Sequence, residues 1–275
     1  MKTTDPFPPA AEMRATLSRL AGEAANPALS AHKRKVLEAE LRDVVETLSE
    51  IIGQLDPIRQ PISVFDPSNP KVVGRFVSLA LVAQQRHPLS EIPRSYGSGV
   101  YAIYYNGAFA PYATLSGTET PIYVGQAAPL VNNARTPREQ GARLCSRLSD
   151  HRKNVAKAVG TLELSDFDFR SLVVQSGWET AAEDYLIHLF RPIWNSETSI
   201  LYGLGKHGDD AATRANKRSP WDTLHPGRAW AAKSAEDAKT ISQIMNELNS
   251  HFHAHPVFVS LEQVLASFLE ELRQI

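Results

Sequence analysis

The sequence predicts an α/β protein with an α+β layout, in which helices flank a small mixed β-sheet. Two short runs, Gly99–Tyr105 and residues 122–125, are rich in β-branched and aromatic residues, as strands are. Residues 166–174 alternate apolar and polar side chains, which is typical of a half-buried strand. Helical periodicity precedes and separates these strands, so we also expect a helical N-terminal extension.

Composition sets the first limits on function. The chain has 275 residues and a net charge of −1, so its overall charge does not indicate a nucleic-acid binder. Its single cysteine, Cys145, excludes an internal disulfide and is typical of a reducing compartment. Residues 1–12 lack an apolar signal core, and no window approaches the length of a membrane span. We therefore expect a cytoplasmic protein.

The first 92 residues are predicted to form the helical extension. Residues 9–54 are charged and helical, prolines then interrupt the pattern, and a further helix follows over residues 71–85. An apolar row on the first part lines one helix face, and it could pack within the protein or form a dimer contact. The row consists of Leu37, Leu41, Val44, Leu48, Ile51 and Leu55.

Two strands each place a tyrosine close to a glycine. The first contains Gly99-Val100-Tyr101 and the second Tyr123-Val124-Gly125. A buried tyrosine needs a partner for its hydroxyl, and a glycine inside a strand often marks close backbone approach. Asn106-Gly107 after the first strand predicts a hairpin turn, and residues 109–121 are interpreted as a hairpin strand with a polar loop. This pairing is unusual for strands that only pack.

The next predicted helix, residues 137–159, is strongly basic. Arg143, Arg147 and His151 lie four residues apart and so form one stripe. Such a stripe is either a solvated face or a surface that meets a negatively charged ligand. Its position directly after the tyrosine strands makes the second interpretation equally tenable.

A later helix, over residues 178–190, carries a carboxylate in an apolar setting. Glu183 has Leu186, Ile187 and Phe190 on its own side of the helix. A buried carboxylate costs several kcal/mol unless it is paired or binds a metal. Glu179, one turn earlier, is a competitor with fewer apolar neighbours.

These residues together resemble the GIY-YIG nuclease superfamily. The two strand motifs match its signature with valine in place of both isoleucines. Residues 182–195 and 217–228 are similar to its branch of type II restriction endonucleases that cut a GC-rich palindrome of the CCGCGG type. The resemblance covers roughly residues 95–230. It implies a nuclease core over residues 93–232, between the extension (1–92) and C-terminal helices (233–275).

The resemblance also implies a reaction, which is Mg²⁺-dependent hydrolysis of phosphodiester bonds in double-stranded DNA. Glu183 would bind one divalent metal, and Arg147 would stabilise charge on the phosphate. Tyr101, helped by His151, would be the general base, although which tyrosine takes that role is open. A tyrosine base requires a cationic neighbourhood that lowers its pKa. Tyr123 would position the phosphate or a water, and Asn195 would order the site.

The base-reading segment is predicted over residues 206–230. Arginine and lysine make the commonest specific contacts to guanine, but the same segment could be a basic loop that touches only phosphates. A palindrome calls for a two-fold protein, so we expect a homodimer on DNA. The residues expected to bind DNA are Arg143, Lys206, Arg214, Lys217, Arg218, His225 and Arg228.

Other interpretations remain possible. The scaffold could bind DNA without cleaving it, or it could belong to a repair or mobile-element nuclease. The Gly203-x-Gly205-x-x-Gly208 pattern lacks the strand and helix context of a dinucleotide site. The histidines at 251, 253 and 255 lack the other ligands of a metal site.

Overall fold

The structure is a computed structural model that describes residues 7–55, 58, 64–205 and 217–273. The chain divides into two compact units, Met1–Val64 and Phe65–Ile275, and each is described by itself. Among the described helices, none is both long and apolar enough to cross a membrane.

The first unit contains two helices, α1 (Pro8–Ala24) and α2 (Ala31–Leu55). A proline opens α1, where its missing N–H costs no helical hydrogen bond. Neither helix contains a buried residue in the described chain. In the apolar row predicted on α2, Val44, Ile51 and Leu55 are exposed, whereas Leu37, Leu41 and Leu48 are half-buried.

The second unit combines a small sheet with seven helices in its described part. Its first three helices are α3 (Pro70–Val82), α4 (Pro137–Gln140) and α5 (Arg143–Val155), followed by α6 (Glu179–Phe190), α7 (Pro220–Leu224), α8 (Ile241–Ala254) and α9 (Leu261–Leu272). Its strands are β1 (His87–Pro88), β2 (Gly99–Tyr105), β3 (Tyr123–Ala127), β4 (Phe167–Val173), β5 (Lys217–Arg218) and β6 (Glu236–Asp237).

The core sheet has four strands in the order β1-β4-β2-β3, which makes β3 an edge strand. Its pairings are antiparallel, and Tyr101 on β2 lies opposite Gly125 on β3 and Ser171 on β4. The predicted α/β fold is confirmed. The core sheet is antiparallel and not mixed. In the described chain, parallel pairing occurs between β5 and β6, which form a separate two-stranded sheet.

Both faces of the central strand β2 are buried, because helices cover each one. Tyr101, Ile103 and Tyr105 belong to one apolar cluster, which also contains the apolar side of α5. Val100, Ala102 and Tyr104 belong to a second cluster with side chains of α3 and α6. Every residue of β2 is therefore buried, a pattern that an alternating polar and apolar strand could not give.

Two local predictions are wrong. Residues 109–121 contain no strand; a short 3₁₀ helix, Ala110–Tyr112, lies there instead and buries Tyr112. Asn106-Gly107 does not form a two-residue hairpin turn, because Asn106 N–H donates to the Asp166 carbonyl beside β4. The connection from β2 to β3 is consequently long.

The basic helix predicted over residues 137–159 is two helices. Gly141 ends α4 with a φ of 76°, a conformation that favours glycine. The chain then changes direction before α5 begins at Arg143.

Helix α3 packs closely on α6, since a Cβ at Gly74 would lie 2.4 Å from the Ala181 carbonyl oxygen. Ser78 also donates hydrogen bonds to the Gly74 and Ala182 carbonyls. This helix thus belongs to the unit that contains the sheet. The division into residues 1–92, 93–232 and 233–275 stays a prediction.

Candidate active site

The two glycines of the strand motifs make room for their neighbours. A Cβ at Gly125 would lie 2.5 Å from the Tyr101 hydroxyl and 3.0 Å from Cε1 of Tyr123. Gly99 has a φ of 151°, and a Cβ there would lie 2.1 Å from the Leu172 carbonyl oxygen. Each glycine thus sits where a side chain would displace a tyrosine or the adjacent strand.

Tyr101 and His151 form the centre of the site. A 2.7 Å hydrogen bond joins the Tyr101 hydroxyl to Nε2 of His151, and both side chains are buried. Tyr123 packs beside them, with ring centroids 4.7 Å from His151 and 6.1 Å from Tyr101. Helix α5 places His151 there because its apolar side, including Leu148, anchors it to the same cluster that contains Tyr101.

Both tyrosines hold their protons more firmly than a free phenol does. Burial raises the pKa of Tyr101 well above its usual value, and the nearby Tyr123 and Glu183 add to the effect. Burial and Glu183 likewise raise the pKa of Tyr123. The expectation of a lowered tyrosine pKa is wrong for the free protein, because burial outweighs the cation beside them.

That cation is Arg147, one turn before His151 on α5 and half-buried. Its positive charge opposes the rise in pKa at both Tyr101 and Tyr123. No described residue forms an ion pair or hydrogen bond with its guanidinium. Arg147 is therefore available for an anionic ligand next to the two phenols.

The free edge of β3 holds the remaining two predicted residues. Oε1 of Glu183 accepts a 3.1 Å hydrogen bond from the Gln126 backbone N–H. Oδ1 of Asn195 accepts from Val124 N–H at 3.0 Å, and its Nδ2 donates to the Val124 carbonyl at 2.9 Å. Both side chains thereby satisfy backbone groups that an edge strand leaves unpaired.

The end of α6 explains how Asn195 reaches this edge. Arg191 ends the helix in the left-handed conformation, with a φ of 46°, and its N–H donates to the Ile187 carbonyl. The chain turns back there, and Trp194 N–H donates to the Ile122 carbonyl. Asn195 follows directly, alongside β3.

Glu183 opens onto a cavity of about 320 Å³. Burial raises the pKa of Glu183 to about 7; hydrogen bonds from Gln126 oppose this rise, whereas the charges of Glu197 and Asp184 add to it. A half-buried carboxylate with other acidic groups nearby gains from a cationic ligand. The cavity is lined by Tyr123, Glu183, Trp194, Asn195, Ser196, Glu197, Tyr202, Gly203 and Gly205.

The donor set suits a magnesium ion. The described residues form no cluster of three or more His, Cys, Asp or Glu side chains that could hold a metal. Mg²⁺ does not need one, since it commonly binds one or two carboxylates together with waters and substrate phosphates. The Gln126 backbone N–H orients the Glu183 carboxylate through Oε1, and this carboxylate would be the protein ligand of such an ion.

The structure thus brings the six predicted site residues to one place at the β3 edge. It does not do so for the predicted DNA-binding residues. Arg143 is exposed on α5, where its Nε donates to the Ala128 carbonyl. Lys217 and Arg218 form ion pairs with Glu236 and Asp237, at 3.6 Å and 3.1 Å. Lys206 and Arg214 lie outside the described residues.

The structure speaks against two of the predicted DNA contacts, because the side chains of His225 and Arg228 are buried. His225 hydrogen-bonds the Tyr112 hydroxyl through Nε2 at 2.5 Å and Thr161 through Nδ1 at 2.9 Å. Burial lowers the pKa of His225 to about 3, so its imidazole is neutral. Arg228 is 1% exposed and pairs with the equally buried Asp222. Neither side chain can reach a base edge from this position.

The sequence interpretation missed several residues at the site. Gln126 holds Glu183 through a backbone N–H, which no side-chain pattern reveals. Glu197 and Tyr202 line the cavity from the loop after α6. The only sequence signal for them was that they follow closely after Asn195, which was already a predicted site residue. Glu179 is not a competing metal ligand, because it is buried and accepts from the Ser98 hydroxyl and Gly177 N–H.

Comparisons with known proteins identify the family. Residues 93–252 match the model of the Eco29kI GIY-YIG domain, and this match spans more than half of the chain. A search of curated proteins found no match. The matched region contains both tyrosine strands, α5, α6 and Asn195. The chain therefore belongs to the Eco29kI GIY-YIG family of restriction endonucleases, which are DNA-cleaving hydrolases.

Proposed function

We propose that this chain is a Mg²⁺-dependent type II restriction endonuclease that cuts double-stranded DNA at a short GC-rich palindrome of the CCGCGG type. The observation that carries the proposal is that Glu183, Tyr123 and Asn195 line one cavity, and that Tyr123 packs against the hydrogen-bonded Tyr101–His151 pair. Phosphodiester hydrolysis needs a proton acceptor for water, a cation near the phosphate and a metal ligand. Residues of these three types lie together there.

In this proposal, the Tyr101–His151 pair accepts the proton of the attacking water. The raised pKa of Tyr101 excludes a stable phenolate, so the phenol proton moves to Nε2 of His151 as the tyrosine oxygen takes the proton of water. His151 is the group that finally holds the positive charge. Tyr123, which lines the cavity, orients the phosphate or the water.

Charge on the scissile phosphate is stabilised by Arg147, because its guanidinium lies near both phenols without an ion-pair partner in the described chain. Glu183 would hold one Mg²⁺ through its carboxylate, which the Gln126 backbone N–H orients. When bound, the metal supplies positive charge at the phosphate. Asn195 keeps β3, and with it Tyr123, in register with Glu183.

Sequence recognition remains part of the proposal. Lys206 and Arg214 stay candidates for base contacts, and Arg143 is an exposed candidate for a phosphate contact. Lys217 and Arg218 would contact DNA only by exchanging Glu236 and Asp237 for phosphate, which surface ion pairs permit at small cost. A phosphate-binding residue weakens specific and random binding equally when it is lost, whereas a base-reading residue weakens specific binding more.

We also propose that the enzyme acts in the cytoplasm and as a homodimer on DNA, because one active site cuts one strand and a palindrome has two-fold symmetry. The partly exposed apolar row on α2 is a candidate contact between the two chains. Sedimentation of the complex with a short specific duplex should give two chains per duplex. One chain per duplex would refute the dimer.

Digestion of a large natural DNA tests the proposed function. With Mg²⁺ the protein should give discrete fragments, and sequencing of their ends should show one GC-rich palindrome. Omission of Mg²⁺ should leave the DNA intact. Ends at a single asymmetric or structured site would favour a repair or mobile-element nuclease, and binding without any cleavage would favour a DNA-binding module.

A further inference from the structure

We infer that the buried ion pair between Asp222 and Arg228 is a positioning device that fixes one wall of the active-site cavity, residues 202–205. This inference rests on the proposed function of that cavity. It gives Arg228 a role different from the DNA contact expected from the sequence. It also gives a reason for burying an ion pair, which costs desolvation energy and seldom stabilises a fold by itself.

Arg228 uses its fork of donors on three acceptor groups at once, one carboxylate and two backbone carbonyls. Its Nε donates to Oδ1 of Asp222 at 2.6 Å, and its Nη2 donates to Oδ2 at 2.7 Å. The same guanidinium donates from Nη2 to the Gly203 carbonyl at 2.9 Å and from Nη1 to the Leu204 carbonyl at 3.1 Å. The ion pair thus orients the donors that hold the wall.

Three successive carbonyls of the cavity wall are held in this region. Trp221 N–H donates to the Tyr202 carbonyl, and Arg228 holds the next two, those of Gly203 and Leu204. Tyr202, Gly203 and Gly205 line the same cavity as Glu183. A shift of the Asp222–Arg228 pair would therefore move atoms that face the proposed metal ligand.

A second anchor connects this wall to the helix of His151. Nδ2 of Asn154, three residues after His151 on α5, donates to the Leu204 carbonyl at 3.0 Å. Gly203 has a φ of 118°, and a Cβ there would lie 2.2 Å from Oγ of Ser219, which itself donates to Asp222. The wall is thus closely fitted between α5 and the start of α7.

Arginine is required at position 228 by this geometry. The guanidinium is planar and carries five donors, so it can hold a carboxylate and two carbonyls together. Its Cζ also lies over two indoles, 4.6 Å from the Trp221 ring centroid and 4.9 Å from the Trp230 ring centroid. Lysine would keep the charge but not the fork.

Hydrogen exchange of the full-length protein tests the inference without reference to activity. Arg228→Lys should speed the exchange of peptides covering residues 201–205 by about tenfold or more, and leave peptides from β2 unchanged. The matched control is Arg170→Lys, since Arg170 also pairs with a carboxylate (Glu119, 2.6 Å) and a backbone carbonyl (Gln84, 2.7 Å). Its guanidinium lies over Tyr104, on the other face of the sheet.

A catalytic measurement distinguishes positioning from general stability. In single turnover, Arg228→Lys should lower the cleavage rate about tenfold or more while DNA affinity changes less than about threefold. Arg170→Lys should leave the rate near that of the wild type. If Arg228→Lys does not fold, Asn154→Ala removes one bond to the same wall and is expected to speed the same exchange.

The inference is overturned if exchange over residues 201–205 is unchanged in folded Arg228→Lys, or, where that variant does not fold, in Asn154→Ala. It is also overturned if Arg170→Lys changes the same exchange equally. A tenfold loss of DNA affinity by Arg228→Lys with an unchanged rate would also overturn it. If the wild type does not cleave DNA, the proposed function fails, whereas the exchange result still decides whether the pair fixes the wall.

Discussion

At the scale of single residues, the missing side chain of Gly125 explains the arrangement of the two tyrosines. The Tyr101 hydroxyl occupies the space where a Cβ at position 125 would lie, and from there it reaches Nε2 of His151. The register of β2 and β3 places Gly125 directly opposite Tyr101. The glycine is therefore part of the geometry that joins the phenol to the imidazole.

Gly125→Ala should displace Tyr101 and break its hydrogen bond to His151. Overpacking of this kind costs about 1–3 kcal/mol, and we expect cleavage to fall more than this loss of stability explains. Thermal unfolding and single-turnover cleavage measure the two effects. Gly53→Ala is the control, because a Cβ there meets no atom within 4 Å. Wild-type cleavage by Gly125→Ala would contradict this account of the glycine.

The residues of the candidate site could be named from the sequence because the family resemblance places them in recognisable motifs. The glycine and tyrosine motifs, the spacing of Arg147 and His151, and the acid at 183 were all present in the sequence. Burial could not be predicted in the same way. Arg228 and His225 belong to a basic segment, and their partners, Asp222, Tyr112 and Thr161, are identified only by the fold.

At the scale of elements, the edge strand β3 depends on side chains in place of a neighbouring strand. Asn195 satisfies both the N–H and the carbonyl of Val124, and Glu183 satisfies the N–H of Gln126. These contacts align the end of α6 with the strand of Tyr123. The stability of the sheet edge and the geometry of the site are thus coupled.

Asn195→Ala should destabilise the protein by about 2–4 kcal/mol, because it leaves two backbone groups of Val124 without partners. Urea unfolding measures this loss. Asn246→Ala, at an exposed position of α8, should change stability by only about 0.5 kcal/mol. Equal effects of the two substitutions would mean that the Asn195 hydrogen bonds do not stabilise the sheet edge.

Helices and strands with strong patterns were predicted well, and the connections were not. The strand Gly99–Tyr105 and the helix Glu179–Phe190 agree closely with the prediction. A strand was expected within residues 109–121 because they follow the Asn106-Gly107 turn signal, yet Tyr112 turns inward and accepts the Trp194 Nε1–H bond at 2.9 Å. Such a tertiary contact overrides local propensity.

At the scale of the whole molecule, a neutral histidine in the core couples folding to pH. His225 has a pKa of about 3 in the folded protein, whereas an unfolded histidine titrates near 6.5. Below about pH 6.5 the unfolded chain therefore binds a proton that the folded chain does not. His225 contributes its full stability above this pH and loses it progressively as the pH falls toward 3.

The wild type should lose about 2 kcal/mol of unfolding free energy at pH 5 through His225 alone. His225→Gln should be less stable at pH 8 but should show a flatter decline between pH 7 and pH 5. Urea unfolding at each pH measures the difference between the two proteins. The same slope in both would show that His225 is not responsible for the decline.

The central claim is that Glu183 in this cavity carries DNA cleavage, and Glu183→Gln tests it most directly. The substitution keeps the shape of the side chain but removes the charge that would hold Mg²⁺. Asp184→Asn is the matched control, since it makes the same change at the next position of α6, where the side chain is exposed.

Both proteins are measured for binding to a specific duplex without Mg²⁺ and for single-turnover cleavage with it. The account predicts that Glu183→Gln binds DNA within about threefold of the wild type and cleaves it at least about a hundredfold more slowly, while Asp184→Asn behaves as the wild type. Near-normal cleavage by folded Glu183→Gln, or parallel loss of binding and cleavage, would contradict it.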